Sequence, residues 1–263
     1  MKIGFVGVGN MAQAIIKGMV ENGYNGSDIL VHSAHKSNYE SFAKELDLVP
    51  VDNNLDLVDQ SDIVVLAVKP NIALIVLDEI KDKMDQTKLL VSLVSGLSVN
   101  DMKMVLGQDQ PVLRTMPNVN VEIGAGMTAV VSDQNLDTAP YAAGVEIFEK
   151  IGSSIEISED DFPAFSALAG SSPAYVYLFI DALSRAGVKY GFTKETATKI
   201  AAQVVAGSAK MVQESEDIPY GLIDKVSSPG GTTVAGLLAM EEAGLSTAVV
   251  KGIDATIAKE LRE

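Results

Sequence analysis

The chain has 263 residues, no cysteine, and a formal net charge of −15 from 20 Lys and Arg against 35 Asp and Glu. That surface repels nucleic acid and anionic lipid, and the missing thiols exclude disulfides and thiolate metal sites. The most apolar run, residues 63–77, is broken by Lys69 and Pro70, and no secretory leader is evident, so a cytoplasmic protein of one large or two ordinary domains is expected.

The first ten residues, Met1 to Asn10, read as an apolar strand entering a glycine turn, with Met11 and Ala12 opening an amphipathic helix (Ile15, Ile16, Met19, Val20). Gly7, Gly9 and Ala12 spell G-x-G-x-x-A, the dinucleotide-binding strand–turn–helix pattern. Gly7 permits the turn, Gly9 lets a pyrophosphate approach the backbone, and Ala12 lets the helix pack closely on the strand. The helix start then offers N–H groups and a partial positive charge to the phosphates. A purely structural turn is the alternative.

Further strands are expected at 29–32, 63–68, 89–93, 112–116, 127–131 and 154–157, after the first at 2–6. Helical stretches such as 38–46, 72–84 and 137–151 lie between them. This alternation predicts an α/β domain over residues 1–157, a mainly parallel, doubly wound Rossmann-type sheet with helices on both faces. From 158 to 263 only helices are expected, at 163–168, 173–190, 194–214, 221–225, 233–243 and 246–261. Gly187, Gly191 and Gly244 read as helix stops. Residues 174–183 are apolar around most of the helix, which predicts that this all-α region packs against a second copy of itself. A self-contained bundle is the alternative.

An NAD-selective site usually has an acidic residue at the end of the second strand. Here the chain reads His32-Ser33-Ala34-His35-Lys36-Ser37. Ser33, His35 and Lys36 offer donors and positive charge suited to a 2′-phosphate, so NADP(H) is preferred, with NAD(H) possible. A polar surface loop would read the same way. Ala67-Val68-Lys69-Pro70 ends the strand at 63–68, where loops of parallel sheets line the ligand crevice; a solvated strand end also fits. After the strand at 112–116 comes Pro117-Asn118. The Asn118 amide suits either a nicotinamide carboxamide or nearby main chain, and Arg114 suits a structural tie between domains.

A second glycine loop, Lys225-Val226-Ser227-Ser228-Pro229-Gly230-Gly231-Thr232-Thr233, opens a helix and reads as a nest for a small carboxylate. An ordinary threonine cap is the alternative. His32 and His35 are the only histidines. That disfavours alcohol oxidation by a histidine base and suits hydride addition to a protonated imine, which needs mainly positioning. Thr233 is placed to donate to, or orient, the substrate nitrogen.

The set Gly7-x-Gly9-Asn10-Met11-Ala12, Ala67-Val68-Lys69-Pro70, Arg114-x-Met116-Pro117-Asn118, Gly170-Ser171-Ser172-Pro173-Ala174-Tyr175 and Val226 to Thr233 resembles the pyrroline-5-carboxylate reductase family along essentially the whole chain. The resemblance implies NAD(P)H-dependent reduction of 1-pyrroline-5-carboxylate to L-proline, the last step of proline synthesis. It also implies a homodimer, or a higher homo-oligomer, held by the C-terminal helices. It implies a substrate loop of Ser228, Gly230, Gly231, Thr232 and Thr233, with the Gly231 and Thr232 amides and the catalytic Thr233 hydroxyl as contacts. Cofactor contacts are implied for Gly7, Gly9, Asn10, Met11, Ala12, Ala67, Val68, Lys69, Pro70 and Asn118, and for Asn54 at the adenosine end. One departure stands out: the family's common Gly-Ser-Gly-Pro turn reads Gly170-Ser171-Ser172-Pro173, which removes backbone freedom. Competing readings are a 3-hydroxyacid dehydrogenase, for which no helical-domain lysine (Lys189, Lys194, Lys199, Lys210) has a suitable context, and a non-catalytic NADP(H) sensor, which leaves the second loop without a role.

Overall fold

In a computed structural model, residues 1–261 are described. They form two compact units, Met1–Gly170 and the described residues from Ser171 on.

The first unit starts with β1 (Ile3–Val6) and α1 (Asn10–Glu21). β2 (Ile29–His32), α2 (Glu40–Glu45), β3 (Val49–Pro50), α3 (Asn54–Asp59) and β4 (Ile63–Leu66) follow. Then come α4 (Pro70–Ile80), β5 (Leu89–Ser92), α5 (Val99–Leu106), β6 (Val112–Pro117), β7 (Gly126–Val131), α6 (Tyr141–Lys150) and β8 (Gly152–Glu156). The eight strands make one sheet in the order β3-β2-β1-β4-β5-β6-β7-β8. All neighbours are parallel except β6 and β7, where Arg114 to Pro117 run antiparallel to Thr128 to Val131.

The inner strands are buried on both faces, so they read as unbroken apolar runs rather than alternating ones. Period-two alternation still sorts their side chains. Ile3, Phe5, Val31, Val65, Val91 and Leu113 join one core with Ile15, Ile16 and Met19 of α1 and Ile147 and Phe148 of α6. Val6, Leu30, Val64, Leu66, Leu90 and Val112 join the other, with Leu57 of α3, Leu77 of α4 and Met102 of α5. Gly4 sets how near α3 comes: a Cβ there would lie 2.4 Å from Leu57 Cδ2 and 2.3 Å from Ser61 Oγ.

The segment after β8 belongs to the first unit, so the compact unit reaches past the expected boundary at 157. Its anchor is Arg114 at the start of β6. Arg114 donates to Glu159 Oε1 at 2.7 Å, and its guanidinium lies 4.2 Å over the Phe162 ring. Glu159 Oε1 also accepts the Val99 N–H at 3.0 Å. Phe162, in the one-turn helix α7 (Phe162–Phe165), is buried.

A π-helical turn, Ser166–Ser171, leads to α8 (Ser172–Lys189) in the second unit. Ser172 takes an ordinary helical place, so losing glycine there has no backbone cost. The second unit continues with α9 (Lys194–Glu214), α10 (Pro219–Lys225), α11 (Thr232–Glu242) and α12 (Leu245–Glu260). Gly191 (φ +99°) and Gly244 (φ +83°) do end helices. Gly187 does not: it lies inside α8, where a Cβ would meet Ala197 Cβ at 2.9 Å. Close approach of α8 to α9, rather than termination, explains this glycine.

Among the described residues, the helices of the second unit bury only Ser184, Ala197 and Ala201. Large apolar side chains stay outside, Leu178 at 70% exposure among them, with Tyr177, Val204, Met211, Val249 and Val250.

Candidate functional site

The sheet order reverses between β1 and β4, and in open α/β sheets the crevice at such a point takes the ligand. Three segments build it. The first is the turn after β1. Gly7 has φ +97°, and a Cβ there would lie 2.6 Å from the Ala67 carbonyl, so both conformation and space require glycine. Gly9 is the N-cap of α1 and makes no side-chain cap. A Cβ on Gly9 would meet nothing within 4 Å. That open cradle, faced by N–H groups without helical acceptors, fits a pyrophosphate.

The second segment follows β2. Gly7 N–H donates to the His32 carbonyl at 2.8 Å, which holds the two strand ends together. The third is the turn after β4, where Lys69 caps α4 and Pro70 takes a first-turn position. Pro70 is suited to that place because its missing N–H is not needed there.

These segments enclose a groove of about 450 Å³. Gly7, Gly9, Ser33, His35, Asn54, Ala67, Val68 and Lys69, all named from the sequence as candidate cofactor contacts, line it. Val6, Val8, His32, Ala34, Ile72 and Val76 line it as well; of these the sequence places only His32 in the cofactor region, without naming it as a contact. Ile72 and Val76 are one turn apart on α4, and that spacing behind Pro70 was the available signal. His32 is the last residue of β2, the position where selectivity for the ribose resides.

Of the other expected contacts, Asn10, Met11, Ala12 and Lys36 lie outside the groove lining. Ala12 is buried under β1 and Met11 packs against the same core, while Asn10 is exposed at the start of α1. Lys36 pairs with Asp52 at 3.6 Å on the open surface. Exposed pairs of this kind are weak, so Lys36 is free to serve an anion. Asn54 begins α3, and its amide donates to Glu79 Oε2 at 3.0 Å.

Asn118 is buried, and its amide is already committed to main chain. Nδ2 donates to the Ala169 carbonyl at 3.0 Å, and Oδ1 accepts the Met127 N–H at 3.2 Å. Both bonds tie the end of β6 to neighbouring main chain. Pro173 has no N–H to return to the turn before it, and the Asn118 amide supplies a donor to Ala169 instead.

The second glycine loop folds as a turn. Gly231 N–H donates to the Ser228 carbonyl at 2.9 Å, and Gly230 has φ +70°. Pro229 and Gly230 are the residues such a turn selects for its two middle positions. Gly231 is the N-cap of α11 and makes no side-chain cap, so an ordinary threonine cap is not what this loop forms. The Gly231 amide therefore closes the turn in this structure. The Thr232 and Thr233 amides and hydroxyls remain at the open end of an 11-residue helix. Behind the loop, Lys225 pairs with Asp217, and that ammonium and Ser215 hold the Asp217 carboxyl below the usual carboxylate range.

No group of His, Cys, Asp and Glu among the described residues is arranged to hold a metal ion. No single helix among them is long and apolar enough to cross a membrane, although α11 and α12 pass that test as a bent pair.

Residues 159–262 match the family described as pyrroline-5-carboxylate reductase dimerisation, and residues 2–96 match the family described as NADP oxidoreductase, coenzyme F420-dependent. A pyrroline-5-carboxylate reductase of Aquifex aeolicus is 38% identical over 98% of this chain and 96% of its own length. The Plasmodium falciparum pyrroline carboxylate reductase, solved with NADP bound, superposes with a TM-score of 0.86 at 32% identity, covering 99% of this chain and 97% of that one. The 1-pyrroline-5-carboxylate reductase of Streptococcus pyogenes gives a TM-score of 0.81 at 39% identity, covering 99% and 98% of the two chains.

Proposed function

This chain belongs to the pyrroline-5-carboxylate reductase family, and we propose how its residues carry out the NAD(P)H-dependent reduction of 1-pyrroline-5-carboxylate to L-proline. When bound, the reduced nicotinamide supplies the hydride that turns the imine carbon into that of a secondary amine. The protein's own task is to bind, orient and exclude competing water.

In this reading, Gly7 and Gly9 seat the pyrophosphate at the start of α1, with Asn10 and Met11 beside it and Ala12 holding the helix to the sheet. Asn54 serves the adenosine end. Ala67, Val68, Lys69 and Pro70 shape the far wall, and Lys69 contributes positive charge within a strongly acidic protein. Ser33, His35 and Lys36 favour NADPH over NADH through a 2′-phosphate. Ser228, Pro229 and Gly230 set the turn that leaves the first turn of α11 open, and the Thr232 and Thr233 amides take the substrate carboxylate. The Thr233 hydroxyl orients the imine nitrogen. A protonated imine is already electrophilic, so no strong general base is required.

The observation that carries this reading is the pair of glycine-capped helix starts, at α1 and at α11. Neither has a side-chain cap. One suits a dinucleotide and the other a small carboxylate.

The exposed apolar helices of the second unit support a homodimer formed through α8 to α12, since their own buried residues are few and small. A cytoplasmic enzyme acting on a small molecule accords with this assignment.

The test is oxidation of NADPH by the purified protein with 1-pyrroline-5-carboxylate, run beside NADH and beside a piperideine carboxylate. Fast oxidation with the five-membered imine, faster with NADPH, is expected. NADPH binding without oxidation by either imine would overturn the assignment.

A further inference from the structure

The loop that opens α11 has little apolar packing to hold it inside its own chain. Among the described residues, none in α10, α11 or α12 is buried, whereas α9 buries Ala197 and Ala201. A polar relay connects the loop to α9 instead. Ser215 ends α9, and its N–H donates to the Met211 carbonyl at 3.0 Å. The Ser215 hydroxyl donates to Asp217 Oδ2 at 3.1 Å and accepts the Asp217 N–H at 3.1 Å. The same Oδ2 takes the ammonium of Lys225, the last residue of α10. A lysine there also suits the negative end of the helix. Asp217 lies before the first residue of α10, so the pair clamps this short helix end to end.

Beyond Lys225 the chain has almost no slack. Val226 N–H donates to the Ile223 carbonyl at 3.2 Å, Ser227 N–H to the Asp224 carbonyl at 3.1 Å, and Gly231 N–H to the Ser228 carbonyl at 2.9 Å. The ring of Pro229 fixes its own φ. A displacement of Lys225 is therefore passed on to Thr232 and Thr233. We propose that Asp217 is a positioning residue for the substrate: through Lys225 it sets where the Thr232 and Thr233 amides meet the substrate carboxylate. This rests on the assignment of that loop to the carboxylate. The pair keeps these N–H groups in place before the anion arrives, so that binding does not have to order the loop. The two side chains are 37% and 63% exposed, so the tie is weak and its loss changes affinity by a modest factor.

The experiment measures rates at saturating NADPH with varied 1-pyrroline-5-carboxylate, beside inhibition by L-proline and NADPH dissociation constants. Asp217→Asn keeps an acceptor for Ser215 and removes the charge that Lys225 answers. Lys225→Met keeps the stem and removes the ammonium. Each should raise the KM for the imine and the proline inhibition constant about threefold to fivefold, with kcat within about twofold and NADPH affinity unchanged. Both break one tie, so the double variant should be no worse than either single one. Asp217→Glu and Lys225→Arg should restore most of the affinity. Glu214→Gln breaks a comparable exposed pair with Lys210 on α9 and should leave KM alone. The gap between unchanged protein and Asp217→Asn should close in about 1 M potassium chloride, which screens an exposed pair. An unchanged KM in Asp217→Asn and Lys225→Met overturns the proposal. So does a rise in KM matched by an equal loss of NADPH affinity, which marks a general disturbance. Either result leaves the assignment of the loop intact, whereas no turnover of the imine by unchanged protein overturns both.

Discussion

The amide of Gly7 donates to the carbonyl of His32 at 2.8 Å, so the glycine turn after β1 and the loop after β2 are joined through one hydrogen bond. This separates two glycines that the motif treats alike. Gly7→Ala forces a left-handed backbone on a side chain and drives Cβ within 2.6 Å of the Ala67 carbonyl. It is expected to lower stability by about 1–3 kcal/mol, read as a drop in melting temperature. Gly9→Ala meets open space and should fold with an unchanged melting temperature. Its Cβ fills the cradle instead, so NADPH affinity should fall at least about tenfold. Equal effects of the two substitutions on stability would refute this division.

Asn118 gives a prediction of the opposite kind. Replacing it by Ala strands the Ala169 carbonyl and the Met127 N–H, both of which it now satisfies. The expected cost is about 1–3 kcal/mol in chemical denaturation. NADPH affinity of the folded fraction should change little. A variant of full stability that has lost NADPH affinity would return Asn118 to the cofactor.

Much of this fold was legible because period and punctuation agree. The strand at 29–32 and the helix at 194–214 fall where the sequence places them. β3 was not legible: Val49–Pro50 is two exposed residues with no period to detect, and it pairs only with Leu30 and Val31. The tie between β6 and the segment after β8 was hidden as well. It depends on Arg114 meeting Glu159 and Phe162, a pairing of residues far apart in sequence. The glycine loops were readable as turns opening helices because their backbone requirements are local. That the Gly231 amide is consumed in a turn, and that the His32 ring is held at the Val51 carbonyl, depends on partners the sequence does not place.

The Arg114–Glu159 pair can be tested by a double-mutant cycle. Arg114 is almost fully buried, and Nε has no partner, so its charge relies on Glu159 and on the face of Phe162. Removing the carboxylate alone leaves a buried cation poorly compensated. Glu159→Gln should therefore destabilise by about 1–3 kcal/mol. Glu159→Gln combined with Arg114→Met should cost less than the sum of the two single changes. Strict additivity would mean that the two side chains contribute independently.

The second unit predicts a concentration-dependent stability. Leu178 and its neighbours are exposed in a single chain, and the proposed dimer would cover this apolar surface of α8 with a second copy. Sedimentation should find a dimer or a multiple of it, with a melting temperature that rises with protein concentration. Leu178→Glu should shift the population to monomer and lower the melting temperature. A monodisperse monomer at micromolar concentration, with unchanged activity, would rule out this interface.

Thr233 carries the sharpest test of the chemistry. It lies in the first turn of α11, beyond a turn closed by Gly231 and Ser228, and its backbone stays in place whichever side chain it has. Thr233→Ala removes the hydroxyl and leaves the amide that faces the carboxylate. Thr233→Ser keeps both. If the hydroxyl orients the imine nitrogen, Thr233→Ala should lower kcat by about 10- to 100-fold, the scale of a lost positioning contact. NADPH affinity should be unaffected, because the dinucleotide has its own loop at α1. Thr233→Ser should retain most of the rate. If the hydroxyl only helps to hold the carboxylate, Thr233→Ala will raise KM and leave kcat alone, and the nitrogen must then be oriented by another group.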